Sequence, residues 1–241
     1  MQKITLFTDG SSRGNPGPGG WAAIVLSEEG NESRVTELGG AERNTTNNRM
    51  ELSGAIAALA HVSSHAASDA AITLHTDSSY VINGITKWVH GWKKKGWITS
   101  TKQEVLNRDL WEKLLAVSAG KKISWSYVGG HSGIAGNERC DEIATSFADG
   151  APTVLYAGPL SGYGRDILNL QASESAVSQK KKSSSHSRAK AYSYLSLVDG
   201  KVERHATWAE CEARVKGRAA KFKKSVSLDD EREILRSWEG K

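Results

Sequence analysis

The chain has 241 residues, of which 38% are hydrophobic and 24% charged, with a net charge of +5. That composition is globular and has room for one ordinary domain and a small second one. No run approaches the roughly 18 apolar residues of a membrane helix, and the N-terminus meets charge too early for a secretory signal, so a cytoplasmic protein with no membrane partner is expected. Residues 1–179 carry 16 Lys/Arg against 18 Asp/Glu, a net of −2, whereas residues 180–241 carry 16 against 9, a net of +7. The basic character belongs to the C-terminal third, which suits a polyanionic partner or, more blandly, a solubilising tail. Cys140 and Cys211 lie far apart and without metal-ligand spacing, and read as reduced packing thiols.

In chain order, Ile4–Thr8 is a short β-rich run, Gly19–Leu26 a second strand after a Gly/Pro turn, and Arg34–Gly39 a third, edge strand. Asn47–Ala60 turns helical, with Leu52, Ile56 and Leu59 on one face and Asn47 or Asn48 able to cap its start. Ala71–Thr76 is a strand, followed by helices over about Ser79–Trp88 and Lys102–Ala119. Lys122–Val128 alternates as a strand, and a helix over about Asn137–Ala148 follows a Gly-rich loop. This order predicts an α/β fold, a mixed five-stranded sheet flanked by helices. Residues 150–190 read as a flexible basic linker because Gln179–Arg188 buries nothing apolar. Residues 191–241 regain a pattern: a hairpin over Tyr192–Leu197 and Lys201–His205, a helix Trp208–Gly217, an extended run Lys221–Val226 and a helix Leu228–Trp238. They form a small α+β C-terminal module.

Four carboxylates stand out by position. Asp9 ends the first strand and Asp77 the fourth; Glu51 lies in the first turns of one helix and Asp141 near the start of another. If the two strands are neighbours, these side chains can converge, and like charges so crowded need cations to neutralise them. Hard oxygen ligands select Mg²⁺ or Mn²⁺ over zinc. Singly, each has a bland reading: Asp9 as a turn former, Glu51 as a favourable charge at a helix N-terminus, Asp77 as a cap, Asp141 as a solvated helix face.

Each carboxylate sits in a distinctive string. These are Phe7-Thr-Asp-Gly-Ser-Ser-Arg-Gly-Asn-Pro-Gly-Pro-Gly-Gly20, Thr45-Thr-Asn-Asn-Arg-Met-Glu-Leu52, Thr76-Asp-Ser-Ser-Tyr-Val81, and Gly130-His131 leading to Asn137-Glu-Arg-Cys-Asp-Glu142. With the basic stretch Gly84–Trp97, they make residues 1–149 closely resemble a bacterial type-1 ribonuclease H. The resemblance implies endonucleolytic cutting of the RNA strand of an RNA–DNA hybrid, leaving 5′-phosphate and 3′-hydroxyl ends. Asp9, Glu51, Asp77 and Asp141 would hold two Mg²⁺ ions (Mn²⁺ being possible) about 4 Å apart. His131, in a glycine-flanked loop, would carry protons or help product leave. Asn15, Asn47 and Asn48 would read the minor groove, Thr46 would help hold a DNA-strand phosphate, and Trp88, Lys93, Lys94, Lys95 and Trp97 would form a basic protrusion, with Trp88 and Trp97 nearest the duplex. Ser79, Gly91 and Arg43 depart from the family pattern around the phosphate pocket.

Thr207-Trp-Ala-Glu-Cys211, Val215-Lys-Gly217 and Lys221-Phe-Lys-Lys224 resemble the hybrid-binding, viroplasmin-like module found beside some ribonucleases H, usually at the N-terminus. There Tyr194, Trp208 and Phe222 would meet the DNA strand's sugars, and Lys223 and Lys224 its phosphates. A monomer is expected. A nonhydrolytic hybrid-binding protein on the same fold is the alternative, against which the intact carboxylate set argues.

Overall fold

Runs rich in Val, Ile, Leu and Thr line up as a six-stranded sheet in the computed structural model, which describes residues 2–67, 69–130, 132–170, 191–216, 218 and 220–239. The strands are β1 (Lys3–Ser12), β2 (Gly17–Glu29), β3 (Glu32–Thr45), β4 (Ala71–Thr76), β5 (Ile123–Tyr127) and β6 (Ala157–Pro159), in the order β5-β4-β1-β2-β3-β6. β1 pairs antiparallel with β2 and parallel with β4. The parallel half, β1-β4-β5, needs crossover helices, and the antiparallel half turns back through short hairpins. β1 is therefore central and covered on both faces, so Ile4 through Gly10 is buried without a break rather than alternating.

One face packs against α1 (Asn47–His65) and α4 (Arg108–Ser118), around Leu6, Leu52, Leu59, Leu74, Trp111 and Leu114. Between them α2 (Ser79–Asn83) runs through a π-type turn, in which the Val89 amide bonds the Gly84 carbonyl, into α3 (Val89–Lys94). The other face packs against α5 (Ala135–Ala148) around Phe7, Ile24, Cys140 and Ile143.

Residues 151–170 differ from the expected linker. β6 adds a sixth strand to the edge of β3, and Tyr163 and Ile167 are buried in the same cluster as Phe7 and Ile143. The Gly and Pro content that suggested flexibility serves turns, while the tyrosines and isoleucine between them find a core. Glu37 anchors the segment. It accepts from Arg139 Nε and Nη2 at 2.7 and 2.9 Å, from the Tyr163 hydroxyl at 2.7 Å and from the Tyr156 amide at 2.9 Å. The rest of the expected linker, 171–190, lies outside the described residues.

The helix expected from Lys102 begins only at Arg108. Lys102 and Asn107 adopt left-handed φ values of 61° and 59°, and the Val105 amide bonds back to the Trp97 carbonyl, so this stretch folds on itself. Thr46, not Asn47 or Asn48, takes the cap position of α1, without a side-chain capping bond.

The second unit stands by itself as a three-stranded antiparallel sheet, β8-β7-β9, with β7 (Ser193–Val198), β8 (Lys201–His205) and β9 (Ala220–Ser225). It carries α6 (Trp208–Val215), started by a Thr207–Glu210 capping box, and α7 (Leu228–Glu239). Its small core holds Val198, Cys211 and Val215. Cys140 and Cys211 are both free and buried. Among the described residues no helix is long and apolar enough to cross a membrane.

Glu37 is nearly inaccessible and its partners are fixed, so Glu37→Ala, which leaves the Tyr163 hydroxyl and Tyr156 amide without their acceptor and Arg139 with only Glu142 and the Val154 carbonyl, is expected to cost about 1–3 kcal/mol in chemical denaturation. Burial raises the Glu37 carboxyl pKa, but the bonds from Arg139, Tyr163 and Tyr156 outweigh that and hold it below its ordinary 4.5. The stability it contributes is complete above pH 4.5 and is lost as pH falls through the lowered value. Glu37→Gln should therefore lose less stability than the unaltered chain between pH 5 and the acid limit, read as denaturation midpoints across an acid series.

Candidate active site

Asp9 lies on β1 where the strand passes under the start of α1. A side chain at Gly10 would collide with the backbone of Met50 and Glu51; a bare backbone there lets the first turns of α1 rest on the strand and brings Glu51 over Asp9. β4, parallel to β1 with Thr8 opposite Thr76, ends at the same sheet edge and delivers Asp77. One carboxylate oxygen from each of Asp9, Glu51 and Asp77 lies within 4.8 Å of the others. Asp9 and Glu51 are each only 6% exposed. Among the described residues this is the one group of three or more His, Cys, Asp or Glu side chains that converges so closely.

The trio is held by neutral donors. The Gly10 amide donates to Asp9 Oδ1 at 2.7 Å, Asn47 Nδ2 to Glu51 Oε1 at 3.3 Å, and Asn137 Nδ2 to Asp77 Oδ2 at 3.3 Å. Among the described residues no lysine or arginine pairs with any of the three. Burial, then the Asp77 charge, pushes the Asp9 pKa up to about 8, with Asp141 adding to the rise and the Gly10 amide opposing it. Burial, then Asp9 and Asp77, likewise raises that of Glu51 well above the usual range. Glu51 Oε2 and Asn137 Oδ1 are buried oxygens without a hydrogen-bond partner. Buried oxygens left unpaired are costly. Convergent carboxylates with an orphaned oxygen among them form a donor set that fits a hard divalent cation.

Asp141 stands on α5, half-buried and outside the trio, though its charge reaches Asp9. His131 lies outside the described residues; its neighbour Gly130 runs so close to Asp77 that a Cβ there would meet Oδ2 at 2.5 Å. Asn137 was the residue missed. Its signal was the i, i+4 spacing from Asp141, which puts both on one side of a helix.

The expected duplex contacts are scattered in their surroundings. Asn15 and Asn48 are exposed, Thr46 is half-buried, and the Asn47 amide is engaged with Glu51. Lys93, Lys94 and Lys95 are exposed at the end of α3. The two tryptophans part company. Trp88 is 39% exposed, edge-on to Tyr80 and tilted against Trp92. Trp97 is 8% exposed and sits in the α1-side core, with the Arg108 guanidinium 5.6 Å from its ring centre. The expectation that Trp97 faces the duplex is corrected: the chain reverses at Gly96 and Trp97, both with positive φ, and turns the indole inward.

In the second unit Tyr194, Trp208 and Phe222 form a contiguous aromatic row, with ring centres 5.8 and 5.4 Å apart. Trp208 and Phe222 are 41% and 50% exposed. Tyr194 pairs with Lys224, and Ser196 with Phe222, so Lys224 shares the aromatic face. Lys223 alternates to the opposite face of the strand and is exposed there.

With this geometry established, comparison with known proteins is direct. The RNase H family profile matches residues 1–149. The Ribonuclease H of Cyanothece sp. (strain PCC 7425 / ATCC 29141) is 52% identical over 145 residues, covering 60% of this chain and 88% of that protein. That of Syntrophotalea carbinolica is 48% identical over 153 residues, covering 63% and 95%. Among solved structures, LC9-RNase H1, a type 1 RNase H, is similar with a TM-score of 0.58 and 27% identity over 69% of this chain and 82% of that one. The PFV RNase H domain, at 20% identity and a TM-score of 0.52 over 62% and 96%, shares the fold. The carboxylate-bearing unit and these relatives lead to one conclusion: the chain belongs to the RNase H family.

Proposed function

We propose that the chain hydrolyses the RNA strand of RNA–DNA hybrids, with Asp9, Glu51, Asp77 and Asp141 holding two Mg²⁺ ions (Mn²⁺ being able to replace them). The observation that carries this reading is the trio of carboxylates within 4.8 Å, uncompensated by any described cation, in a chain of which about 60% is about half identical to proteins named Ribonuclease H. Bound divalent ions supply Lewis-acid charge for activating water and for steadying the leaving 3′-oxygen. The chain's own groups do the positioning. The Gly10 amide, Asn47 and Asn137 orient Asp9, Glu51 and Asp77 respectively. His131 carries the proton that must leave or reach the scissile region. Products then bear 5′-phosphate and 3′-hydroxyl ends.

Asn15, Thr46, Asn47 and Asn48 serve the minor groove and DNA-strand phosphate, and Trp88 with Lys93–Lys95 covers the flanking backbone. We assign residues 191–241 to hybrid binding through Tyr194, Trp208, Phe222 and Lys224, on the support of the half-exposed aromatic row. Flat rings take up sugars and bases without regard to sequence. We further propose a monomeric, cytoplasmic enzyme. The nonhydrolytic alternative leaves the cost of gathering three carboxylates unexplained.

The test is incubation with labelled hybrid, duplex RNA and duplex DNA, with Mg²⁺ or with EDTA. Cutting confined to RNA in hybrid, abolished by EDTA and reduced about a thousandfold or more in kcat by Asp9→Asn or Glu51→Gln, is the expected result; equal cutting in EDTA would end this reading. Relief of repulsion should also make Asp9→Asn more stable than the unaltered chain in EDTA by about 1–3 kcal/mol, a gap that narrows as Mg²⁺ is added to both in thermal melts. Removal of 171–241, which leaves the packed segment 151–170 in place, should preserve kcat and raise KM for hybrid by about tenfold at moderate salt.

A further inference from the structure

The family match ends at residue 149, yet 151–170 continues to fold on the same sheet. The two sides of α5 are used differently. Asn137 and Asp141, four residues apart, share one side, and Asn137 touches Asp77 there. Arg139 and Glu142, three apart, share another and point at the added segment. Arg139 reaches Glu37 and the Val154 carbonyl, the latter at 3.0 Å. Glu142 accepts from Arg165 Nη1 and Nη2 at 3.2 and 2.8 Å. Tyr163 closes the set through its hydroxyl on Glu37. The helix that carries the fourth carboxylate is thus tied on its far side to residues that the family match does not include.

Asp141 is not locked into the trio, and its charge acts on Asp9 across the gap. Its place relative to Asp9 is therefore set by where α5 lies, and a displacement of about 1 Å is enough to cost roughly a hundredfold in rate where reacting groups must align.

We propose that residues 151–170 are a brace that sets the position of α5, making Tyr163 and Arg165, with Glu37, positioning residues that place Asp141 and Asn137 against Asp9, Glu51 and Asp77. This rests on the nuclease reading above.

The experiment uses the full chain carrying Tyr163→Phe and Arg165→Ala, singly and together. Both changes remove polar contacts without opening a cavity. Three quantities are read at a temperature where every variant is folded: Mn²⁺ affinity by calorimetry without substrate, kcat and KM on hybrid, and amide exchange along α5. The double variant should bind Mn²⁺ several-fold more weakly, lose about tenfold in kcat, keep its KM for hybrid, and exchange faster in α5 but not in α1. Arg165→Lys, which keeps a cation at Glu142, should recover part of the loss. Ile72→Val, in the opposite core, controls for stability alone and should lower the melting temperature while leaving Mn²⁺ affinity and kcat unchanged. A double variant with unaltered affinity, kcat and α5 exchange overturns the brace, as does an Ile72→Val variant with the same losses. An unaltered chain that neither binds Mn²⁺ nor cuts hybrid overturns the nuclease reading, and the catalytic role of the brace with it.

Discussion

Three carboxylates held within 4.8 Å of one another repel, and everything else in the first unit can be understood as the structure needed to keep them there. A flexible loop could not do so, because it would relax until the charges parted. Here Asp9 lies on β1 and Asp77 directly after β4, its parallel neighbour, with Glu51 on a helix pressed against β1 at Gly10. The burial that raises the Asp9 and Glu51 pKa values also makes a cation valuable at the same point. Stability is given up locally where a charged ligand is to be held, a common feature of functional sites.

The cost is met by the two cores on either side of the sheet. The α1 face is filled by large apolar side chains such as Leu59, Leu74 and Trp111. The α5 face is thinner and holds a buried charge, Glu37, whose four hydrogen bonds come from α5 and from residues 151–170. A buried carboxylate so completely satisfied demands one geometry of its neighbours. It therefore orders a segment whose composition alone suggested a tether.

The second unit follows a different logic. With about fifty residues it has little interior, so aromatic surface is left half-exposed. Tyr194, Trp208 and Phe222 come from a strand, a helix start and another strand, and make one surface only because β7 and β9 pair in a register that sets Ser196 beside Phe222. A shift of one residue would put Phe222 on the other face and Lys223 in its place.

Much of this was legible in the chain itself. Strands and helices announced themselves by apolar periodicity, because burial on one side leaves a period of about two or 3.6. The four carboxylates were legible from the strings around them, and the pairing of the first and fourth strands brings Asp9 and Asp77 together, although β1 runs on to Ser12 and Asp9 lies inside it rather than at its end. Other features depend on contacts between residues far apart in sequence, which no local pattern records. Only the folded chain decided that Trp97 turns inward while Trp88 stays out, that Asn47 is spent on Glu51, and that Asn137 holds Asp77. The sixth strand was hidden for the same reason. Tyr156, Tyr163 and Ile167 look like stray hydrophobics among glycines until Glu37, more than a hundred residues earlier, offers the two tyrosines a partner and the cluster around Phe7 and Ile143 gives Ile167 a place to pack. Local chemistry sets what each segment can become; the pairing of distant charges and surfaces settles which of those possibilities lowers the energy.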